Sequence, residues 1–262
     1  MAENAIVFFD IDGTIISNRT GRIPGSTKEA LSRLAANGHV PVINTGRPFG
    51  HISPLILELD LSDYICGCGM QVIAGGRAIK DAAPDTDVCL KMRELVLDCG
   101  LDAIFEANDR AYILNRFAEG PRSERPRLIK NRVPVSDDIF DPAFRFAKFC
   151  VWSNARSDRE RFKRGAGEYF SMIERNEGFI ELPLKGCSKG SGIRDYLAAV
   201  NGDGRTVYAF GDSTNDAEMF GCADVSVLMG DGDMSLKDSV SYITSPLEED
   251  GILFGLEHFG LI

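Results

Sequence analysis

The stretch Phe8-Phe9-Asp10-Ile11-Asp12-Gly13-Thr14 decides the fold of this chain. It continues an unalternated apolar run from Ala5, which is typical of a strand buried on both faces of a parallel sheet. Asp10 and Asp12 would then stand at the carboxyl end of that strand, where open α/β sheets bind ligands. Two neighbouring carboxylates repel each other unless they share a cation or a proton, so the pair indicates a functional site. The alternative is an ordinary turn at Asp12-Gly13-Thr14.

Composition limits the possible functions of the chain. Its 262 residues, 44 % hydrophobic and 26 % charged, fit one large globular domain or two modest ones. The net charge of −10 argues against a nucleic-acid partner, because binding phosphates requires a basic excess. No apolar run approaches about 18 residues, so no membrane span is expected. The N-terminus shows no signal-peptide pattern, and we expect a cytoplasmic protein.

The seven cysteines are an odd number scattered along the chain. Several lie in apolar segments, which is typical of reduced thiols that act as small hydrophobic side chains in a cytosolic protein. Cys66-Gly67-Cys68 has a spacing that could hold a metal ion. No second pair of cysteines or histidines lies nearby to complete a zinc site, so we do not expect one.

The first 66 residues alternate between strand and helix. A helix is predicted from Ser26 to Gly38, with Ser26 and Glu29 forming a capping box at its start. The elements predicted after it are a strand, a helix and a strand at residues 40–44, 49–58 and 64–66. This βαβαβ order predicts a parallel sheet with right-handed crossovers.

The alternation is interrupted by an insert and then resumes. Helices at 188–200 and 214–220 and strands at 206–210 and 224–229 are predicted after the insert. Within the insert, the predicted helices and strands are 87–99, 102–106, 111–115, 144–152, 157–169 and 178–182. Residues 84–183 carry 17 basic and 18 acidic residues, whereas the remainder carries 12 and 21. We therefore predict an α/β, Rossmann-like parallel-sheet core from residues 1–83 and 184–262, with an inserted α+β domain at 84–183.

Polar residues follow the core strands at matching positions. Thr45 follows the second strand, Lys189 begins the helix after the insert, and Asp212 follows a later strand. Because the carboxyl ends of parallel strands lie at one edge, we expect these side chains near Asp10 and Asp12. Carboxylate oxygens suit Mg²⁺, and a lysine beside the metal would suit a phosphoryl group. Taken one by one, these segments are also typical of ordinary features: a turn at Thr45-Gly46, a surface lysine at Lys189 and a helix N-cap at Asp212-Ser213.

These segments together resemble the motifs of haloacid dehalogenase (HAD) superfamily phosphatases. The specific resemblance is to the Cof-type group, which carries a large α/β cap of the C2B type between the second and third motifs. The matching segments are Asp10-Ile11-Asp12-Gly13-Thr14, Asn44-Thr45-Gly46-Arg47, Lys189-Gly190 and Gly211-Asp212-Ser213-Thr214-Asn215-Asp216 with Met219. The core halves, about 1–82 and 185–262, match by motif, and the insert matches only by size, position and mixed α/β pattern.

The resemblance implies a role for each motif residue. Asp10 would attack phosphorus and form an aspartyl-phosphate. Asp12 would protonate the leaving alcohol and then activate water. Thr45 would donate a hydrogen bond to a phosphoryl oxygen, and Lys189 would offset negative charge on the nucleophile and the phosphoryl group.

The resemblance also implies a Mg²⁺ site and a phosphate site. Asp10, the backbone carbonyl of Asp12, and Asp212 would hold the metal ion. Asp216 would bind a metal-bound water or Lys189. The residues expected at the phosphate are Gly46, Arg47 and Asn215.

Two motif positions depart from the family pattern. Cys68-Gly69-Met70 follows the third strand where the group often has Asn-Gly-Ala, so any substrate contact of that asparagine is expected to be missing. Ser213 stands in the fourth motif where asparagine is frequent, which is a milder change.

The cap is expected to select the substrate, because the core motifs contact only the phosphate. Five basic residues lie within eleven positions of the cap: Arg122, Arg125, Arg127, Lys130 and Arg132. They indicate either a solvated, proline-containing loop or a basic rim that attracts an anionic substrate. The substrates expected are small phosphorylated metabolites, sugar phosphates first. The protein is expected to be a monomer or a small homo-oligomer.

Three other functions compete with a phosphatase. A phosphomutase or phosphotransferase of the same superfamily would pass the phosphoryl group to an acceptor other than water. A signalling receiver domain is disfavoured, because receivers lack the Asp-x-Asp-Gly-Thr order and have no hundred-residue insert. A catalytically dead binding protein is disfavoured because every acidic motif position is filled.

Overall fold

The structure is a computed structural model that describes residues 4–115, 133–174, 178–202 and 204–262. The chain divides into two compact units. The first unit comprises residues 1–46, 54–80 and 188–262, and the second comprises 47–53 and 81–187. The second unit therefore contains the whole expected insert, 84–183, and the short segment 47–53 as well. The five basic residues between 122 and 132 lie outside the described residues.

The elements of the described residues are named in chain order. The strands are β1 (Ile6–Phe9), β2 (Val40–Asn44), β3 (Tyr64–Cys66), β4 (Gln71–Ala74), β5 (Arg77–Asp81), β6 (Asp102–Glu106), β7 (Ala111–Leu114), β8 (Val135–Ser136), β9 (Lys148–Trp152), β10 (Ile173–Glu174), β11 (Phe179–Leu182), β12 (Val207–Gly211), β13 (Val225–Leu228) and β14 (Tyr242–Ile243). The helices are α1 (Gly25–Ala36), α2 (Pro54–Leu57), α3 (Thr86–Asp98), α4 (Arg159–Ala166), α5 (Lys189–Ala199), α6 (Ala217–Phe220) and α7 (Gly251–His258).

The first unit is built on a sheet with the strand order β14-β13-β12-β1-β2-β3-β4-β5. From β14 to β3 every neighbouring pair is parallel, whereas β4 runs antiparallel to β3. The predicted parallel α/β core is therefore confirmed. The strand β4, the edge strands β5 and β14 and the final helix α7 were not predicted. The strands β4 and β14 have only four and two residues, which is too short for a periodic signal.

Strand β1 lies at the centre of the core, and all four of its residues are buried. Phe8 packs edge-on against Tyr196 of α5, with ring centroids 5.7 Å apart. On the other face, Phe9 stacks on Phe210 of β12 at 5.1 Å. Full burial of one such aromatic side chain stabilises the fold by roughly 1.5–3 kcal/mol. This packing fixes the position of the chain as it leaves β1 at Asp10.

Two predicted helix features in the first half of the chain are wrong. Helix α1 begins at Gly25 after an extended Pro24, and the Ser26 hydroxyl has no partner among the described residues. The capping box fails because Ser26 already lies inside the first turn rather than before it. The predicted helix 49–58 is divided into a 3₁₀ turn, Phe49–His51, and α2. Pro54 causes the break, since a residue before proline avoids the helical region.

Predicted elements elsewhere shift by a few residues. The predicted strand 144–152 begins only at Lys148, and the predicted helix 214–220 starts as a 3₁₀ turn over Thr214–Asp216 before α6. Helix α4 covers 159–166 of the predicted 157–169. End turns of helices commonly tighten to 3₁₀ geometry, and this explains the second difference.

In its described residues, the second unit contains a sheet of six strands in the order β10-β11-β9-β6-β7-β8. Its pairs are antiparallel except for β7 with β8. One face packs on helices α3 and α4 through an aromatic cluster, in which Phe149 contacts Phe105, Phe162 and Phe170. The opposite face carries a smaller cluster that includes Ile104, Ile113, Trp152 and Phe179. These helices and antiparallel strands form the α+β fold that the sequence predicts.

The seven cysteines are free thiols. All are buried except Cys222, which is half-buried. This confirms their interpretation as small hydrophobic side chains, and burial raises the pKa of the Cys66 thiol well above its usual range. Among the described residues, no helix is long and apolar enough to cross a lipid bilayer.

Candidate active site

Three neighbouring strands end at the same level of the first unit's sheet. Phe9 of β1 pairs with Phe210 of β12 and with Ile43 of β2. The Asp10 amide continues this ladder and donates to the Phe210 carbonyl at 3.0 Å. Asp10, Thr45 and Asp212 therefore follow adjacent strands in one layer, as the parallel order predicts.

Lys189 lies at the centre of the candidate site. Its Nζ donates to Asp10 Oδ1 at 2.6 Å and to Asp216 Oδ1 at 2.5 Å. All three residues are buried, with exposed fractions of 3 %, 4 % and 0 % for Lys189, Asp10 and Asp216. Lys189 is the first residue of α5. Ser188, directly before it, and Ser191, two residues after it, form a reciprocal capping box. This cap was not predicted, because serine replaces the usual glutamate at its second position.

Both carboxylate oxygens of Asp216 accept hydrogen bonds. Oδ1 accepts from Lys189, and Oδ2 accepts from the amides of Asp212 and Ser213 at 3.0 and 3.1 Å. Two alternative contacts were expected for Asp216, with a metal-bound water or with Lys189. The structure shows the contact with Lys189. The carboxylate also holds the backbone from which the Asp212 side chain extends.

Gly13 allows Asp212 to reach the site. A tight turn follows β1, in which the Gly13 amide donates to the Ile16 carbonyl at 2.9 Å. Gly13 has a φ of +88°, and a β-carbon there would lie 2.4 Å from Asp212 Oδ2. Glycine is therefore required both for the backbone conformation and for the close approach of the carboxylate. Asp12, directly before it, is half-buried.

Burial and mutual repulsion make the carboxylates of this site hard to ionise. Burial raises the pKa of Asp10 to about 7, against the attraction of Lys189, and Asp216 and Asp12 raise it further. Burial also raises the pKa of Asp212 to about 8, and the charges of Asp10 and Asp216 add to this effect. Burial alone would lower the pKa of Lys189, but the attraction of Asp10 and Asp216 raises it overall. The lysine therefore stays protonated.

The acidic cluster suits a divalent cation. Oxygens of Asp10, Asp212 and Asp216 lie within 4.8 Å of one another. With Lys189 charged and all three carboxylates ionised, these four groups carry a net charge of −2, which one divalent ion neutralises. Hard oxygen donors of this kind suit Mg²⁺ or a similar ion. The raised pKa values of Asp10 and Asp212 apply to the same cluster when no cation is bound.

The remaining predicted residues have the following places. Thr45 is 1 % exposed, its amide donates to the Ile65 carbonyl at 2.8 Å, and its carbonyl accepts from the Cys68 amide at 3.1 Å. Gly46 ends the first segment of the first unit. Asn215 is half-buried and its Oδ1 accepts a hydrogen bond from the Ser213 hydroxyl. Arg47 is buried and belongs to the second unit, so its expected phosphate contact stays a prediction.

Cys68-Gly69-Met70, which replaces the Asn-Gly-Ala frequent in the family, forms a tight turn against the start of α5. Cys68 and Gly69 have φ values of +56° and +78°, a region that asparagine adopts more readily than cysteine. A β-carbon on Gly69 would lie 2.2 Å from the Ser188 carbonyl oxygen. Cys68 and Met70 are buried. The turn therefore supports the helix that carries Lys189, although it lacks the usual asparagine.

Asn44 is a residue of the site whose role the sequence did not predict. It ends β2, is fully buried, and its Nδ2 donates to the Lys189 carbonyl at 3.2 Å. The signal in the sequence was a polar side chain that ends the otherwise apolar strand Val40–Asn44. Its partner lies 145 residues further along the chain, where no local pattern indicates it.

A family model of haloacid dehalogenase-like hydrolases matches residues 7–256. The chain belongs to the haloacid dehalogenase-like hydrolase family. The match confirms the resemblance drawn from the motifs, the fold class and the interpretation as a phosphatase enzyme of the HAD superfamily. HAD phosphatases use a metal ion, and the cluster of Asp10, Asp212 and Asp216 can hold one.

Relatives of this HAD phosphatase align over nearly its whole length. YkrA of Bacillus subtilis (strain 168), a protein named as a phosphatase without an assigned substrate, is 28 % identical over 266 residues. The alignment covers 99 % of each chain. YwtE of the same organism, named as a 5-amino-6-(5-phospho-D-ribitylamino)uracil phosphatase, is 24 % identical and covers 96 % of each chain.

Solved structures share the same fold. A hypothetical protein from Geobacillus kaustophilus HTA426 superposes with a TM-score of 0.84 at 25 % identity, covering 99 % of this chain and all of the other. The HAD subclass IIB sugar phosphatase BT4131 superposes with a TM-score of 0.81 at 26 % identity and the same coverage.

Proposed function

We propose that this HAD phosphatase hydrolyses phosphate monoesters of small metabolites, sugar phosphates first, with Mg²⁺ and through an aspartyl-phosphate at Asp10. The observation that carries the proposal is the buried ammonium of Lys189 between Asp10 and Asp216, beside the carboxylate of Asp212. A nucleophilic carboxylate needs its lone pair oriented and its charge balanced as the anionic phosphoryl group approaches. The Lys189 ammonium supplies both from one side.

The chain's own residues account for both halves of the reaction. A lone pair of the Asp10 carboxylate forms the bond to phosphorus while the bond from phosphorus to the alcohol oxygen breaks. Asp12 gives its proton to that oxygen. It afterwards takes a proton from the water that attacks phosphorus, while the bond between phosphorus and the Asp10 oxygen breaks to release inorganic phosphate and the free carboxylate. Thr45, which two backbone hydrogen bonds hold in place, donates its hydroxyl to a phosphoryl oxygen. Asp216 acts through Lys189, because both its oxygens already accept hydrogen bonds.

The residues that would hold Mg²⁺ are Asp10, the carbonyl of Asp12, and Asp212. When bound, the ion offsets the negative charge of the carboxylates and of the transferring phosphoryl group. The charge of −2 carried together by Asp10, Asp212, Asp216 and Lys189, which one divalent cation balances, supports the assignment.

The substrate class is inferred from the second unit and from the relatives. On the face of its sheet opposite the aromatic cluster, Glu106 and Lys148 are direct cross-strand partners, with Oε2 and Nζ 3.8 Å apart. Their side chains are only 12 % and 5 % exposed, and because a buried ion pair of this kind adds little net stability, it favours a role in binding. A carboxylate beside an ammonium is suited to the hydroxyl groups of a sugar or polyol. The names of YwtE and BT4131 indicate phosphorylated substrates of that kind.

A panel of phosphate monoesters assayed for inorganic phosphate tests this proposal. We expect release of phosphate with Mg²⁺ and without any acceptor, with sugar phosphates preferred to a generic aryl phosphate. Activity that persists in excess chelator would contradict the metal assignment. A new phosphate ester formed in place of inorganic phosphate would instead identify the phosphomutase or phosphotransferase alternative.

Three expectations stay predictions. Residues 84–183 are proposed to act as the cap that selects the substrate. The protein is predicted to be a monomer or a small homo-oligomer, which gel filtration with light scattering would measure. A cytoplasmic location is predicted from the sequence alone, and fractionation of cells expressing the full chain would test it.

A further inference from the structure

Asn44 connects two elements that carry proposed catalytic groups. It is the last residue of β2 and directly precedes Thr45. Its Nδ2 donates to the backbone carbonyl of Lys189, the first residue of α5, at 3.2 Å. The end of the strand that positions Thr45 is thereby tied to the helix turn that positions Lys189. Both residues of this contact are buried, so water does not compete for it.

The same side chain leaves one of its polar atoms unused. Within the described part of the chain, Asn44 Oδ1 has no hydrogen-bond partner, although the residue is fully buried. A buried acceptor without a partner destabilises a fold, and each such group in a native structure calls for an explanation. The residues before it, Val42 and Ile43, are apolar and completely buried. An apolar residue at position 44 would therefore suit the strand better, so stability alone does not explain the asparagine.

We propose that Asn44 is a positioning residue that holds Lys189 for catalysis, an inference that rests on the proposed function. Lys189 reaches Asp10 and Asp216 through a flexible chain of four methylene groups. The place of its ammonium therefore depends on how firmly the backbone at position 189 is held. First turns of helices are held weakly, because their amides lack partners inside the helix. The capping box of Ser188 and Ser191 holds the amide side of this turn, and Asn44 holds the carbonyl side.

Asn44→Leu separates this role from a purely structural one. Leucine has a similar shape, removes the Nδ2 donor, and removes the unpartnered oxygen together with it. The Lys189 carbonyl keeps its helix bond from the Ile193 amide. Replacing a poorly satisfied polar group by an apolar one of similar shape is close to neutral for stability. We therefore expect an unchanged or higher melting temperature together with a lower kcat.

Thr27→Val is the matched control in the same unit. Thr27 lies in α1, is fully buried, and its hydroxyl has no partner among the described residues. Valine has the same shape and removes that hydroxyl. This variant should leave the melting temperature unchanged or raised, and it should leave kcat and KM at their wild-type values. A loss of kcat common to both variants would contradict a specific role for Asn44.

Hydrogen exchange provides a test that is independent of activity. Asn44→Leu should accelerate exchange of the amides in the first turns of α5, including Ile193, while Thr27→Val should not. Unchanged protection of this turn in Asn44→Leu would overturn the inference, whatever the enzyme's activity. If the wild type released no phosphate from any ester, the proposed function would fail. The hydrogen-exchange comparison would still test whether Asn44 holds the first turn of α5.

Kinetics with an aryl phosphate test the consequence for catalysis. We expect Asn44→Leu to lower kcat by about 10- to 100-fold, because a misplacement near 1 Å can cost that much. KM should change little. In a Lys189→Ala background, Asn44→Leu should cause almost no further loss of kcat, since it acts through the lysine. A wild-type kcat in Asn44→Leu, or equal losses in both backgrounds, would refute the positioning role and leave the proposed function intact.

Discussion

The α-carbon of Gly13 lies so near Asp212 that a β-carbon at position 13 would come within 2.4 Å of Asp212 Oδ2. The two residues follow adjacent strands, β1 and β12, and are almost two hundred positions apart in the chain. Gly13 also adopts a φ of +88°, a left-handed conformation that disfavours side chains. The glycine of the first motif therefore determines where the carboxylate of the fourth motif can lie.

We predict that Gly13→Ala weakens the response to Mg²⁺ by at least about tenfold, since the new methyl group displaces Asp212. The measurement is the dependence of kcat on Mg²⁺ concentration. Gly21→Ala is the matched control: Gly21 has a φ of +67° but no atom within 4 Å of its ideal β-carbon. The control carries similar backbone strain without the clash. Equal metal responses in the two variants would count against the proposed contact with the metal site.

The two acids of the first motif should differ in their effects on turnover. Asp10→Asn removes the nucleophile and should abolish both turnover and the covalent intermediate. Asp12→Asn removes the acid and base but should preserve phosphate binding, and it should slow turnover by roughly 10²–10⁴-fold. Steady-state kinetics and phosphate binding by calorimetry measure these effects. Near-normal turnover by Asp10→Asn would mean that another group attacks phosphorus.

The stability of the metal-free protein should fall as pH rises. Asp10 and Asp212 have pKa values raised from 3.8 to about 7 and about 8 in the folded chain. The folded state then binds more protons than the unfolded state, so their contribution is complete below about pH 4 and is lost as pH rises through 7 to 8. In excess chelator we expect the free energy of unfolding to fall by roughly 3–4 kcal/mol between about pH 6 and pH 8.

Asp212→Asn and added Mg²⁺ isolate this effect from the titration of other groups. The variant should lose a large part of the pH dependence, because one of the two groups no longer titrates. Mg²⁺ binds the ionised carboxylates and should stabilise the wild type more at pH 8 than at pH 6. Denaturant unfolding at matched pH values measures both. A wild-type stability in chelator that rises over this range, with the variant following it, would contradict the electrostatic account.

The charge pair of the second unit should affect substrate preference rather than the chemical step. Glu106→Gln and Lys148→Met should each lower kcat/KM for the preferred sugar phosphate by about 10-fold or more, because buried hydroxyl contacts are lost. Activity on a generic aryl phosphate should stay within a factor of about two or three. Glu174→Gln is the control, since it breaks an exposed ion pair with Lys163 in the same unit. An unchanged preference in both buried variants would remove this pair from substrate recognition.

The sequence predicted those parts of the site that follow from sheet topology. Asp10, Thr45 and Asp212 each directly follow the last residue of a strand, and the parallel order brings strand ends together whatever the details of packing. Lys189 was placed as the first residue of a helix, and the structure has it there. Such features depend on the order of elements, which hydrophobic patterning indicates directly.

Contacts between distant backbone and side-chain atoms could not be predicted in this way. The bond from Asn44 to the Lys189 carbonyl depends on how closely α5 approaches β2. The pairing of Glu106 with Lys148 depends on the register of two strands that are not consecutive in the chain. The start of α1 was misplaced because Ser26 and Glu29 have the spacing of a capping box. The same spacing also occurs inside a first turn, which is where Ser26 lies. Each of these was decided by packing rather than by local sequence.

Trapping the covalent intermediate tests the central claim most directly. The enzyme is mixed with an aryl phosphate and Mg²⁺, quenched in acid, reduced with borohydride, and digested for peptide mass spectrometry. Reduction converts an aspartyl-phosphate into homoserine. Asp12→Asn should increase its yield, because a good leaving group needs no proton while hydrolysis still needs a base. We predict homoserine at position 10 in the wild type and more of it in Asp12→Asn. Its absence from position 10 in samples that release phosphate, or its appearance at another aspartate, would contradict the account.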